Sequence, residues 1–233
     1  MVFRFADVNF KINFRDERVA VKLKDYLANA TPDCEISVPD DIYNEMFDSY
    51  GYKHPLYTEF LSLSQVISNK LLSDFDGFLF HSSAIAYKGN GILFSAVSGT
   101  GKSTHARFWK ALFGDDVKYV NDDKPFIREV GGEFFVYGNP WDGKENLSNN
   151  IKAPIKAICF IERGSETRIE PISVANAVVS FYNQSFSVVD AELQDKFLSL
   201  VDRLLTNVKI VKLYLPLDER SPLAVLEALK GEL

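Results

Sequence analysis

Residues 91–109 read GILFSAVSGTGKSTHARFW: an apolar run, a turn carrying Gly99 and Gly101, and a stretch compatible with a helix. That order suits a phosphate-binding loop. The first N–H groups of a helix have no helical acceptor, and the helix dipole is positive there, so a turn entering a helix attracts a dense anion such as a triphosphate. Glycine lets the backbone curl close to the phosphate oxygens. On this reading Ser98, Gly99, Thr100, Gly101, Lys102, Ser103 and Thr104 form the cradle for ATP. Lys102 would contact the β- and γ-phosphates, and Ser103 would place its hydroxyl on Mg2+. The strict pattern G-x-x-x-x-G-K-[ST] asks for glycine at position 96, where this chain has Ala96. A methyl group at the loop entrance costs little provided the backbone angles there are negative.

A second constellation, KYVNDDKP, ends an apolar strand in Asn121-Asp122-Asp123, with Asp122 twenty residues after Lys102. One carboxylate can hold Mg2+, directly or through water, and its neighbour can act as base toward an incoming hydroxyl. Neighbours on a strict strand point to opposite faces, so both can act only where the strand bends or ends; Pro125 makes an ending plausible. An Asp-Asp pair by itself is usually a solvated turn, and it gains meaning here from the loop before it. His81 lies among apolar neighbours in FLFHSS, where a histidine is commonly a satisfied core residue. His105 follows the loop and faces either solvent or the strand layer, while His54 in its turn suggests nothing. In GNPWDGKEN, Trp141 can close the core, and Lys144 can reach a transferred phosphoryl group.

These residues need elements to position them. Residues 2–14 alternate as one or two strands, DERVAVKLKDYLAN reads as a strand and a short helix, and CEISVP as a strand ended by Pro39. The spacing predicts a helix over 57–72, broken at 74–77. GFLFHSSAIAY is one strand, or two meeting at a bend; KGNG is a tight turn in which Asn90-Gly91 suits a hairpin, and ILFSAV returns. A helix follows over 102–113. Five strands come next (VKYVNDD, KPFIREV, GGEFFVYG, IKAICFIERG and TRIEPIS), then helices over 173–184 and 190–206, the strand VKIVKLYLP, and a last helix over 221–230 behind Ser221-Pro222. The one plausible boundary is near 73–77. An ordinary P-loop enzyme alternates strand and helix. Here a hairpin precedes the loop and a meander follows it, so the expected class is α/β but not doubly wound.

Composition narrows the function. The chain has 233 residues, 46% of them hydrophobic, enough for one substantial core. A net charge of −6 with well-mixed signs argues against a nucleic-acid binder using a broad basic face. Cys34 and Cys159 stand alone, so neither a disulfide framework nor a zinc site is expected, and a reducing cytoplasm is the default. The N-terminus does not read as a signal peptide, and no run reaches the roughly 18 apolar residues of a membrane span.

The set His81, Ala96 to Thr104 and Asp122-Asp123, followed by strands, resembles the HPr serine kinase/phosphorylase catalytic domain. Its branch of HPr-kinase-like proteins from bacterial peptide-biosynthesis gene clusters looks most similar, through STHARFW, NDDKP and NPWDGK. The resemblance runs from about 78 to 165, with weaker agreement to the C-terminus. It implies a phosphoenolpyruvate carboxykinase-like P-loop core with a β-rich meander over 76–233, and a small N-terminal α+β extension over 1–75. It also implies ATP and Mg2+ as cofactors, with Lys102 and the loop amides on the phosphates, Ser103 and Asp123 on the metal, Asp122 as base, and His81 orienting that base. The activity implied is transfer of the γ-phosphoryl group to a hydroxyl, a serine of a peptide or small protein. A small-molecule kinase and a non-catalytic ATP-binding partner protein stay open, as does assembly into a homo-oligomer.

Overall fold

The computed structural model describes residues 1–49, 54–185, 191–216 and 218–233. Strands β1 (Val2–Phe5) and β2 (Val8–Asn13) form a hairpin, and β3 (Cys34–Ser37) lies parallel to β2. Between them a ten-residue 3-10 segment, Glu17–Tyr26, replaces the expected strand and short helix. Asp16 opens it by accepting the Arg18 N–H, and its buried Val19, Leu23 and Tyr26 follow helical spacing. Helix α1 (Asp40–Ser49) was not anticipated, although two acids directly after Pro39 suit a helix start. Helix α2 (Pro55–Asp74) contains the expected 57–72.

The expected bend in GFLFHSSAIAY separates β4 (Gly77–Leu79) from β5 (Ser83–Tyr87), and β6 (Asn90–Ser95) returns beside β5. The hairpin turn is Lys88-Gly89, both at positive φ, rather than Asn90-Gly91. Tyr87 pairs with Asn90, so Asn90 and Gly91 already belong to the strand. Gly91 is small for another reason: a Cβ there would stand 3.0 Å from the Pro154 carbonyl oxygen. Helix α3 (Lys102–Phe113) has the expected bounds.

After it come β7 (Val117–Asn121), β8 (Phe126–Val130), β9 (Glu133–Tyr137), β10 (Lys152–Arg163) and β11 (Arg168–Pro171). Helices α4 (Val174–Asn183) and α5 (Ala191–Asn207), strand β12 (Lys209–Leu215) and helix α6 (Ser221–Ala228) complete the chain. Residue 190, expected to open α5, lies outside the described residues.

The fold is mixed α/β. Seven strands of the nine-stranded sheet run in the order β4-β8-β9-β10-β6-β5-β7, with β12 also beside β10 and β11 beside β12. The twelve-residue β10 joins its two parts. Its start pairs antiparallel with β9, and its remainder lies parallel to both β6 and β12. Alternation divides the core. Ile92, Phe94, Ala157 and Cys159 pack on the face covered by α3 and α6, while Leu93, Ile158 and Phe160 face the cluster containing α4 and α5 residues.

A third cluster buries the N-terminal strands and α2 against Leu79, Phe126, Tyr137 and Trp141. Polar links fasten the same junction: Arg128 donates to the Ala6 carbonyl (2.8 Å), and Trp141 Nε1 donates to the Phe60 carbonyl (2.6 Å). Among the described residues, no helix is long and apolar enough to cross a membrane.

Candidate active site

The loop between β6 and α3 has the conformation its glycines allow. Gly99 has φ +80° and Gly101 φ +120°, which L side chains rarely adopt. Nothing lies within 4 Å of a Cβ built on Gly99, so backbone angle rather than space requires glycine there. Ala96 is not among the described residues with positive φ, so the methyl in place of glycine brings no backbone strain. Arg163, at the end of β10, draws the carbonyls of Gly99 (2.8 Å) and Thr100 (3.4 Å) toward itself. In a trans peptide the N–H opposes its carbonyl, so the Gly101 N–H points away from Arg163. Gly101 stands at the N-cap of helix α3 and offers no side-chain cap. The helix's first amides are therefore left for a ligand or water. Ser98 and Gly99 are exposed at the tip, and Thr104 accepts a hydrogen bond from Arg107 (3.3 Å).

Lys102 is buried beneath this loop at 7% exposure, with Nζ on the Ala96 carbonyl at 2.8 Å. Burial pushes its pKa below the usual lysine value, and the negative charges of Asp123 and Asp122 pull it partly back. An ammonium held under a loop of outward amides fits an anion well.

Asn121 makes the two acids converge. Its Oδ1 accepts from the backbone N–H of Asp123 (2.8 Å) and of Lys124 (2.7 Å), a turn that ends β7. Its amide nitrogen donates to Asn139 Oδ1 (3.1 Å), and Asn139 Nδ2 donates to the Lys124 carbonyl (2.6 Å). The bend and the 138–150 loop are thereby tied together.

The two carboxylates then part. Asp122 turns inward, 6% exposed, where Ser83 Oγ donates to Oδ1 (2.8 Å) and the Ser103 hydroxyl also interacts. Gly143 covers its other oxygen: a Cβ on Gly143 would be 3.0 Å from Oδ2. Burial raises the Asp122 pKa above the usual carboxylate value despite both serine hydroxyls, and the charges of Glu145 and Asp123 add to the rise. Asp123 turns toward His81, with Oδ1 3.2 Å from Nε2. Burial would raise it too, but the His81 hydrogen bond and the positive charges of Lys124, His81 and Lys102 outweigh burial and hold it below the usual value.

His81 sits at the bend between β4 and β5. Its N–H donates to the Gln184 carbonyl (2.7 Å), Ser82 donates to the Asp123 carbonyl (3.0 Å), and Nδ1 lies 3.0 Å from Gln184 Oε1. The expected pairing is thus exchanged: His81 meets Asp123 and Ser103 meets Asp122. The reason is that successive residues leaving a strand aim in opposite directions.

Lys144 is exposed beside Asp123 on a cleft that the glycine loop does not line. Trp141 is 2% exposed and closes the core. His105 is buried in α3, away from solvent. Sequence reasoning missed Ser83, Gly143, Asn139, Gln184 and Arg163. Only Asn121 left a signal, as an Asn directly before a polar pair, which favours a side-chain-closed turn.

Among the described residues, no group of three or more His, Cys, Asp or Glu side chains is arranged to hold a metal. Mg2+ commonly binds through one or two carboxylates plus substrate phosphates, and Ser103 with the two acids could supply the protein's share.

Fold and site together define a mixed α/β protein whose glycine loop and buried lysine adjoin a pair of acids. The family described as SynChlorMet cassette protein ScmC matches residues 56–228, and the chain belongs to that family. No curated protein matches. Among solved structures the chain is similar to the Hpr(Ser) kinase/phosphatase from Coxiella burnetii, at 10% identity over 66% of this chain and 94% of that chain, with a TM-score of 0.38.

Proposed function

We propose that the protein is a Mg-ATP-dependent kinase, built on an HPr-kinase-like, phosphoenolpyruvate carboxykinase-like P-loop core, that phosphorylates a hydroxyl, a serine of a peptide or small protein. One observation carries it: a buried Lys102 under an uncapped glycine loop, with two carboxylates in contrasting environments beside it. The loop amides and Lys102 would hold the phosphates, and Mg2+ would neutralise charge on the transferring group. The bond from the γ-phosphorus to the ADP oxygen breaks, a bond to the acceptor oxygen forms, and the hydroxyl proton passes to a carboxylate. Catalysis on this reading is mostly positioning and electrostatics.

The geometry supports a division of labour opposite to the one the resemblance implies. Asp122, beside Ser103, suits the metal; Asp123, on the open cleft and braced by His81, suits the acceptor hydroxyl. The raised Asp122 carboxyl is the observation favouring the converse, since a base works best with a pKa near the operating pH.

Two asparagine variants separate them. Asp123→Asn is expected to keep Mg-ATP affinity and lose turnover about 10²–10⁴-fold, whereas Asp122→Asn should also lose the Mg-dependent part of ATP affinity. Calorimetry and steady-state kinetics read both, and the opposite pattern would restore Asp122 as base. Gly143→Ala should crowd Asp122 and lower kcat about tenfold while circular dichroism stays unchanged; an unaltered kcat would mean that the Asp122 position does not matter to transfer.

The broader test is transfer from γ-labelled ATP into a fractionated lysate of the source cell. Label in a peptide or protein supports the reading. Label only in metabolites indicates a small-molecule kinase, and ATP binding without transfer a non-catalytic partner protein.

A further inference from the structure

We infer that the cleft beside Asp123 is the acceptor site and that it selects an acidic stretch of peptide around the phosphorylated hydroxyl; this rests on the kinase reading above. The cleft has a volume of about 640 Å3, within the size range of ligand pockets. One wall is the 3-10 segment with Lys22 and Lys24, together with Tyr57 and Phe60 of α2. The other is the 140–146 stretch with Lys144, and Asp123 is part of the lining. Trp141 Nε1 on the Phe60 carbonyl and Asn150 Nδ2 on the Asp25 carbonyl (2.9 Å) bolt the two walls together, so the cleft exists before anything enters.

Its lining is richer in lysine than in acid, against the balance of the chain. The chain is acidic, 32 Asp and Glu against 26 Lys and Arg, and lysines elsewhere, such as Lys11, Lys70, Lys152 and Lys212, sit on carboxylates. Lys22, Lys24 and Lys144 are exposed, and among the described residues none forms an ion pair. Lys22 instead lies over the Phe60 ring, Nζ 5.3 Å from its centre. The cleft also carries two acids, Asp123 and Asp142, so its lysines outnumber its carboxylates by three to two. Asp123 is held by His81, and Asp142 Oδ2 accepts the Ser148 N–H (3.1 Å) within its own loop. Three ammonium groups outside any ion pair, in excess over the two carboxylates of the lining, attract carboxylates on the acceptor, steer its approach and disfavour basic partners. Residues 1–55, which supply Lys22 and Lys24, lie outside the segment matched by the ScmC family, so two of the three recognising lysines lie outside that segment.

The test uses three short fluorescent peptides with one serine flanked by glutamates, glutamines or lysines, in transfer from γ-labelled ATP and in anisotropy binding. The glutamate peptide is expected to exceed the glutamine peptide about tenfold in kcat/KM and in affinity, and the margin should shrink as salt rises. In the triple variant Lys22→Glu, Lys24→Glu, Lys144→Glu the preference should pass to the lysine peptide while Mg-ATP affinity stays at the wild-type value. Equal use of all three peptides, no binding of any, or an unchanged preference in the triple variant overturns the inference. Charge-selective binding with no transfer leaves it standing and removes the kinase reading; transfer without charge preference removes this inference alone.

Discussion

Replacing Lys102 with methionine is expected to cut phosphoryl transfer by about three orders of magnitude, about 4 kcal/mol of transition-state stabilisation. Methionine keeps most of the buried stem and removes only the ammonium, so the loss reads the charge rather than a collapsed loop. Nζ sits 2.8 Å from the Ala96 carbonyl, at the mouth of the loop and near both acids. Mg-ATP affinity should fall with it, because on this reading the same group touches ground-state phosphates. Stability should move the other way. Burial leaves the folded pKa of Lys102 below its unfolded 10.5, so the unfolded chain binds the extra proton between those values. The penalty for burying the charge is complete below the folded pKa, shrinks as pH rises from there, and is gone above the unfolded one. At neutral pH the methionine variant should therefore resist urea at least as well as the parent. Wild-type turnover in a folded Lys102→Met protein would sink the phosphate-loop reading.

Local signals were legible where one short stretch determines one element. The bounds of α3 followed from the glycine turn and the apolar spacing after it, and the strands from β7 to β11 from alternation between turns. The 3-10 segment at 17–26 escaped because its apolar residues serve a strand and a helix about equally well until Asp16 caps it. The hairpin at 88–89 was misplaced because an Asn-Gly pair is the stronger turn signal in isolation; here Gly91 is required by the approach of the β10 backbone, a contact between distant segments.

The candidate site divides in the same way. Lys102 and the acid pair lie in readable motifs. The partners that separate the two acids come from elsewhere: Ser83 from β5, Gly143 from a loop, and His81 and Gln184 from two further places. No spacing in the chain announces that Asp122 turns inward and Asp123 outward. Asn121 decides it by closing its turn over the amides of Asp123 and Lys124, and side-chain hydrogen bonding of that kind becomes legible only when the backbone is seen.

The same helix that opens at the candidate phosphate loop carries an acid-sensitive anchor. His105 is 3% exposed; its Nε2 accepts the Trp109 indole N–H (3.1 Å), and its Nδ1 lies 3.2 Å from Ser221 Oγ. Ser221 donates to the Asp218 carbonyl (2.7 Å), so its oxygen accepts and Nδ1 carries the single ring proton. A second proton would set an N–H against the indole N–H, in a place stripped of water. Burial accordingly pushes the His105 pKa down from 6.5 to about 3. As pH falls below 6.5 the unfolded chain takes a proton that the folded chain refuses, so stability drains away from there down to the folded pKa. The full loss is about 4–5 kcal/mol, with about 3 kcal/mol gone by about pH 4. Glutamine offers both a donor and an acceptor and does not titrate. His105→Gln should therefore start below the parent at neutral pH and lose less on acidification, so that the two curves converge. Urea unfolding of both proteins over that range measures the difference in slope, which cancels the carboxylates common to both. Parallel curves would mean that His105 is charged in the folded protein, and that the α3–α6 anchor is not what acid attacks.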